Sequence, residues 1–476
     1  MTPNPASGPM RVAGALLAGG FRFAGLAALG LLLIFPLYKG RPEGWIPLLL
    51  SAGAAGLCGA RRAAGMRKAA GRLLDGLPTG AFLGLALGLP ALLQVGLVLW
   101  LRPAPSFDGL FVLQEAAHLA RAGQMSPLTY YAPGQIWYYA ILFKVLGATP
   151  LVAQLGQLPL FLGMILALHA IARRILPPES ARGATLAMAF YPSMVLYALV
   201  TPYYFYLYTL MILLMVGRWL TVAREEGGAG AGFLGGLAAG FGSLTKAVLL
   251  VAPAQALAFW LLNARSFFQR RAWAAWMAFL LGMVIVIAPW AWRNRQVFGE
   301  PVLVCTSGPL VLWSANNPDS DGLYSPLPDT TRIETPAEML RHMRYCRDQA
   351  KAWIFFHPGA FLRLAARKLL HTWGTETSYV ELINHRGEPI PRLDQVLRFL
   401  AQAGWGTLAF LWAFVSLRAL IQRRRATPVE LATAILVLSK WAIYSFYEGG
   451  ARHHLPVVPM LILYVATELS RTRQAL

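Results

Sequence analysis

The chain has 476 residues, 57% of them hydrophobic and only 13% charged, with a formal net charge of +21. That balance excludes a large soluble enzyme. The basic residues lie in short clusters between apolar runs, not on one face interleaved with exposed aromatics, so nucleic acid is excluded as a partner.

Taken in chain order, apolar runs recur from Ala15–Tyr38 to Leu455–Leu469. A helix crosses a bilayer in about 20 apolar residues, and on that criterion the fold class is an all-α polytopic membrane protein with about 12 spans. The first run is too long for a cleaved signal peptide, is interrupted by Arg22 and is followed almost at once by another, so it reads as a span. Residues 1–101 hold three spans, of which Trp45–Ala60 is short enough for a half-insertion. Residues 102–150 form an external loop with a helix-like stretch at Leu110–Ala122. Within it Pro133–Gly147 is aromatic-rich and too short to span, so it is predicted to lie in the interface. Residues 151–290 form a central bundle. Residues 291–395 are a polar external segment, the one stretch long enough for a small subdomain packed on the membrane part. Residues 396–476 supply the C-terminal spans.

Orientation follows from the basic clusters. Arg61, Arg62, Arg67, Lys68 and Arg72 form one; Arg173 and Arg174, then Arg265, Arg270 and Arg271, form two more. Arg423, Arg424 and Arg425, with Arg471 and Arg473, complete the set. Read as cytoplasmic anchors, they put both termini inside the cell and make the protein a multi-pass inner (plasma) membrane protein. The loops carrying Asp108, the 291–395 segment and Arg452 then face the periplasm. The three cysteines support no disulfide framework. Cys305 and Cys346 share the external segment, and the odd total favours unpaired thiols.

Two familiar patterns have plainer explanations. Gly230, Gly232 and Gly235 spell GxGxxG, but they open a span and follow no strand, so with Gly236 and Gly240 they suit close helix packing. Asp319–Ser320–Asp321 has the DxD spacing of metal-dependent enzymes, yet it sits in the turn-rich stretch NNPDSDG, where turn chemistry accounts for it. His453 and His454 are adjacent and chelate poorly together, so no metal or other cofactor is expected.

Asp108 stands out in a chain with 21 acids against 42 basic residues. It lies seven residues beyond an apolar run ending at Leu101, where a carboxylate just outside the bilayer is placed to act as a general base. SFDG before an apolar helical pattern also suits a helix N-cap. Glu115, two helical turns along the same face, is the nearest second carboxylate. Lys246 interrupts the apolar stretch Gly232–Leu262, Arg293 closes a span in PWAWRN, and Arg452 precedes HHLPVVP. A cation at membrane depth costs about 2.5–3.5 kcal/mol on insertion scales, much of which snorkelling relieves. Three of them at one level point to an anionic ligand, and a lipid phosphate suits best.

From about Asp108 onward the chain resembles the membrane-embedded C-type glycosyltransferases of the protein O-mannosyltransferase and aminoarabinose transferase family. FDGLFVLQEAAHLARAGQ resembles its acidic first-loop motif, YAPGQIWYYAILFKVLG its juxtamembrane helix, and GFGSLTKAVLLVAP its mid-chain basic element. PWAWRNRQVFGEPVLVCTSGPLVLWSANNPDSDGLY is similar to the pattern PWxxRNxxxFG followed by an Asn-Asn-Pro turn. GGARHHLPVVPMLIL resembles the terminal Arg-x-x-Leu-Pro element. The chain departs from the pattern at Gly109, where the family often has a second acid, at Tyr203, where an acid often follows Pro202, and before Pro133, where Tyr131 and Ala132 replace a lysine motif.

The resemblance implies an inverting glycosyltransferase with a GT-C-like arrangement. Such enzymes pass a sugar from a polyprenyl-phosphate carrier to an acceptor lipid, glycan or protein at the outer face. It implies Asp108 as the catalytic acid-base residue and Lys246, Arg293 and Arg452 as phosphate ligands. Tyr131, Glu115, Asn316, Asn317 and His453 follow as substrate-binding residues. Two rival readings are a lipid-linked glycan flippase, which would share the span number and the cations, and a polysaccharide polymerase or ligase with a diphosphate-linked donor. Against the flippase, the sequence shows no matched halves with broken helices at equivalent positions.

Overall fold

Apolar runs without strand-like alternation leave helices as the only way to satisfy the backbone in lipid, and the computed structural model is built of them. It describes residues 8–39, 45–59, 71–128, 130–200, 202–263, 269–325 and 333–474. The basic residues Arg61, Arg62, Arg67, Lys68 and Arg265 lie outside the described residues. Among the described residues the only β feature is an isolated bridge between His385 and Glu388.

The principal helices are α1 (Gly8–Tyr38), α2 (Trp45–Gly59), α3 (Thr79–Leu101), α4 (Phe107–Ala122), α5 (Pro133–Leu146), α6 (Pro150–Ile175), α7 (Pro178–Ala189) and α8 (Phe205–Ala223). They continue as α9 (Ala229–Thr245), α10 (Ala252–Asn263), α11 (Arg270–Phe298), α12 (Pro336–Phe356), α13 (Pro358–Trp373), α14 (Pro391–Ile421), α15 (Pro428–Phe446) and α16 (Val458–Gln474). By length and composition, seven described helices suit a membrane crossing: α1 from Met10, α3, α6, α8, α11, α14 and α15. Trp45–Gly56 and Ala247–Asn263 are shorter apolar helices.

The glycine-rich start of α9 does what small residues do in membrane bundles. A Cβ at Gly232 would fall 2.1 Å from the Ala275 carbonyl oxygen, and one at Gly236 would fall 2.0 Å from that of Phe279. Only glycine lets α9 lie this close to α11, and the nucleotide-loop look of the sequence is a packing seam.

The basic clusters gather at one end. Arg224 donates to the Arg174 carbonyl, and Arg271 Nε to that of Gly227 at 3.0 Å. Deeper in the bundle Arg22 donates to Glu430 Oε1 at 2.6 Å and to the Arg424 carbonyl at 3.0 Å. Arg424 meets Glu468 at 3.2 Å, and Arg471 reaches the Arg425 carbonyl at 3.4 Å. Apart from Arg22, which reaches them from within α1, these basic residues lie at helix ends or loops opposite to those carrying Asp108, Lys246 and Arg452.

The segment expected to be external begins later than its polar composition suggests. α11 runs on through Trp290, Arg293 and Asn294 to Phe298 before Gly299 closes it in the left-handed conformation (φ 73°). Beyond it a short helix, Ser307–Ser314, packs on α12, while α13 packs on α1 and α15. The segment therefore rests on the membrane helices, with Phe298, Val302 and Met339 as a small core of its own.

Candidate active site

α4 begins at Phe107, whose φ of 48° puts a bulky side chain in the left-handed region at a cost of about 1–2 kcal/mol. Ser106 takes the N-cap position, and Asp108 falls in the first helical turn. The N-cap expectation for Asp108 is corrected: its carboxylate gains from the helix dipole but remains free to face a neighbour. Tyr131 Oη donates to Asp108 Oδ1 at 3.0 Å. On the other oxygen, Arg452 Nη1 stands 3.8 Å from Oδ2. Burial, then the adjacent Asp108 carboxylate, push the Tyr131 hydroxyl far above its ordinary range, so it stays protonated and donates.

Arg452 sits in the connection between α15 and α16. Its Nη2 donates to Glu448 Oε1 at 2.6 Å, and His453 Nε2 lies 3.4 Å from the same oxygen. Burial alone would raise the Glu448 carboxyl, but Arg452 and His453 outweigh it and hold the group well below the usual carboxylate range. The His453 ring stacks on Tyr444 with centroids 4.0 Å apart. Burial lowers its imidazole to about 3, so the ring is neutral at physiological pH. Lys246 marks the point where α9 stops: its backbone turns extended (φ −148°, ψ 116°), and its Nζ lies 3.7 Å over the Tyr204 ring.

These groups share one cavity of about 360 Å³. Asp108, Tyr131, Lys246, Glu448, Arg452 and His453 line its polar part; Ala247, Val248, Leu250, Val251, Val311 and Ile443 line an apolar flank. Tyr130, Tyr203 and Tyr324 close the wall around Asp108. The buried hydroxyls of Tyr204 and Tyr444 and Glu448 Oε2 have no hydrogen-bond partner among the described residues. Native interiors rarely leave such atoms unpaired, and around a cavity they mark where a polar ligand or water completes the set.

Of the residues the sequence nominated, Asp108, Tyr131, Lys246, Arg452 and His453 converge here. Four others lie elsewhere. Arg293 Nη2 donates to the Ser126 carbonyl at 2.7 Å, and its guanidinium packs 4.9 Å from the Trp290 ring centre. Glu115 Oε1 accepts from the Ser126 amide at 2.5 Å. The two clamp one residue, Glu115 through its amide and Arg293 through its carbonyl, and so hold the loop that carries Tyr130 and Tyr131; neither lines the cavity. Asn316 donates to the Leu312 and Phe446 carbonyls at 2.7 and 2.6 Å and accepts from Lys368 Nζ at 2.7 Å. It anchors the end of α15 two residues before Glu448. Asn317 binds its own turn, donating to the Trp313 and Ser314 carbonyls and accepting from the Asp319 amide. Asp321 Oδ1 accepts from the Leu323 amide at 2.9 Å, which is turn chemistry for the DxD stretch as well. Among the described residues no group of three or more His, Cys, Asp or Glu side chains is arranged to hold a metal ion. Cys305 and Cys346 are both free thiols.

Glu448 is the residue that sequence reading missed. Its i, i+4 spacing to Arg452 was the available signal.

The helix arrangement has counterparts among solved membrane-protein structures. The structure is similar to that of the oligosaccharyltransferase AglB from the archaeon Archaeoglobus fulgidus, in complex with an inhibitory peptide and a dolichol-phosphate. The TM-score is 0.51 at 15% identity, over 82% of this chain and 50% of that one. The apo form of the same archaeal enzyme gives 0.49 at 14% identity, over 82% of this chain and 50% of that one. ArnT from Cupriavidus metallidurans, bound to undecaprenyl phosphate, gives 0.43 at 12% identity, over 83% and 78%. The chain spans about half the length of the archaeal enzyme. No protein-family model and no curated protein sequence matches it.

Proposed function

We propose that this protein is an inverting glycosyltransferase that moves a hexosyl or pentosyl group from a polyprenyl-phosphate donor to an acceptor at the outer face of the membrane. The observation that carries this reading is the single cavity in which a carboxylate, a guanidinium and an ammonium meet beside an apolar flank. A polyprenyl phosphate has the matching halves: an anionic head for Lys246 and Arg452, and a chain for the apolar flank and the surrounding lipid. The dolichol-phosphate held by the archaeal oligosaccharyltransferase belongs to the same chemical class.

In this mechanism an acceptor hydroxyl or amine attacks the sugar's anomeric carbon. Asp108 takes the acceptor's proton as the new bond forms. The bond from the anomeric carbon to the phosphate oxygen breaks on the opposite side, and polyprenyl phosphate departs with the electron pair. Tyr131 orients the carboxylate through Oδ1. Lys246 and Arg452 stabilise the charge that appears on the phosphate, where exclusion of water strengthens their effect. The acceptor is a lipid, a glycan or a protein.

The topology of this reading adds α2, α7, α9, α10 and α16 as shorter crossings, which brings the seven long spans to about twelve. Every segment carrying a cavity residue then falls on one side. The basic clusters fall on the other, which the positive-inside rule makes cytoplasmic.

The test is sugar transfer by the purified protein in lipid nanodiscs, supplied in turn with polyprenyl-monophosphate and polyprenyl-diphosphate sugars. Transfer from the monophosphate donor is expected, with Asp108→Asn slower by about 10²–10⁴. Undiminished turnover in Asp108→Asn would overturn the assignment of the base. Use of the diphosphate donor alone would replace this reading by a polymerase or ligase.

A further inference from the structure

At the end of the bundle remote from the cavity, α6 and α8 diverge around a second, smaller cleft. α8 joins the two sites: it starts beside Tyr203 and Tyr204 at the cavity and ends at Ala223, one residue before Arg224. At 1.5 Å per residue its 19 residues separate them by roughly 28 Å, close to the apolar thickness of a bilayer. A group bound in this cleft lies at the opposite membrane surface.

The cleft has about 110 Å³ of space and two kinds of wall. Toward the middle of the helices it is apolar, lined by Ile171 and Leu214, with Gly217 leaving the floor open. Toward the helix ends it is lined by Arg174, Arg218 and Arg224. Arg174 Nη1 donates to Thr221 Oγ1 at 3.2 Å, and Arg224 donates to the Arg174 carbonyl, so two guanidinium groups are tied to the rim. Glu226 offsets one of the three charges, accepting from Arg224 Nε at 2.6 Å. Arg218 has no hydrogen-bond or ion-pair partner among the described residues, although it projects from the helix wall into the cleft.

Ordinary cytoplasmic anchors point outward into the headgroup layer. Here guanidinium groups line a recess whose inner wall is hydrocarbon and whose volume suits a phosphate group but no folded partner. We propose that this cleft binds the headgroup of an anionic phospholipid, with the phosphate on Arg218 and Arg174 and the first acyl carbons along Ile171 and Leu214. Basic pockets between membrane helices take such lipids because charge and chain are satisfied together. The acyl chains favour a lipid over free phosphate, since a soluble anion leaves the apolar wall uncovered.

The experiment is native mass spectrometry of the whole purified protein, with equimolar phosphatidylglycerol and phosphatidylcholine of matched chains. Each guanidinium near a membrane surface is worth about fivefold in binding an anionic lipid. The net two charges of the cleft therefore predict a preference for phosphatidylglycerol of about 25-fold. Arg218→Gln is expected to lower it about fivefold, and the triple change Arg174→Gln, Arg218→Gln, Arg224→Gln to abolish it. Arg218→Gln breaks no described bond, so it carries the test even if the triple variant does not fold. Equal retention of both lipids by the wild type overturns the proposal, as does an unchanged preference in Arg218→Gln. Displacement of phosphatidylglycerol by an equal concentration of inorganic phosphate overturns it too, because it makes the cleft a soluble-anion site.

Discussion

Glu448→Gln tests how the cavity is held together. Arg452 is shared between two carboxylates, 2.6 Å from Glu448 and 3.8 Å from Asp108. The nearer contact is a charge-assisted hydrogen bond to a nearly buried acid. Such bonds are worth about 1.5–3 kcal/mol, and the lower part of that range applies because the Arg452 side chain is 33% exposed. A loss of about 2 kcal/mol shifts the ratio of seated to displaced Arg452 by roughly thirtyfold. The displaced guanidinium has Asp108 as its remaining acid in reach, and pairing there blocks the carboxylate that the mechanism uses as base. Sugar transfer should therefore fall by about 10- to 30-fold in kcat, with a smaller change in donor KM. The stability effect has a definite pH signature. The folded carboxyl of Glu448 lies below its unfolded value. Its contribution is complete above the ordinary carboxylate range and is lost as pH falls toward the folded value. Melting temperatures of wild type and Glu448→Gln should differ most at neutral pH and approach one another in acid. A difference that stays constant as the pH is taken from neutral to well below the ordinary carboxylate range, or a kcat within twofold of wild type, refutes the argument.

Three further outcomes follow from the same geometry. Tyr131→Phe removes the 3.0 Å hydrogen bond to Asp108 without changing the ring, so kcat should drop about 5- to 30-fold while the fold, read by melting temperature, is unchanged within a few degrees. Arg293→Ala frees the Ser126 carbonyl. Hydrogen exchange of residues 124–131 should rise and kcat should fall, whereas a selective loss of donor affinity with no change in exchange would return Arg293 to the phosphate site. Lys440, in α15, is 4% exposed, and its ammonium has two tyrosine faces, Tyr208 at 5.4 Å and Tyr444 at 5.5 Å, but no hydrogen-bond partner among the described residues. Replacing it by Met removes an uncompensated polar group and should stabilise the protein by about 1–4 kcal/mol in chemical unfolding. A Lys440→Met protein that is less stable would show that the ammonium has a partner in the working state.

Much of the cavity was legible from motifs. Asp108, Lys246 and Arg452 lie about 140 and 200 residues apart in the chain, yet each follows or interrupts an apolar run at the same end of a span. Hydropathy alone puts them at one level. The same reasoning nominated Arg293, which is on that level but faces the Ser126 loop, and the resemblance nominated Asn316, which faces the end of α15. Glu448 escaped notice because an acid near a helix end has an ordinary explanation until its neighbour is known. The length of α11 was also misjudged: Arg293 and Asn294 look like the end of a span by polarity, but the helix continues until Gly299 supplies a left-handed closing residue.

By itself the sequence determined the helical membrane class, a close-packing glycine face on α9, and the height of each polar residue along the helix axes. Those follow from local quantities: 1.5 Å of rise per residue, the cost of a bare peptide group in lipid, and the lack of a side chain on glycine. Only the tertiary structure decided which way each group points around its axis. That direction depends on contacts between residues hundreds of positions apart, such as Arg452 with Asp108 and Arg22 with Glu430. Because a charge in a low-dielectric site acts over a few ångströms, azimuth rather than height separates a ligand of the substrate from a brace of the loop.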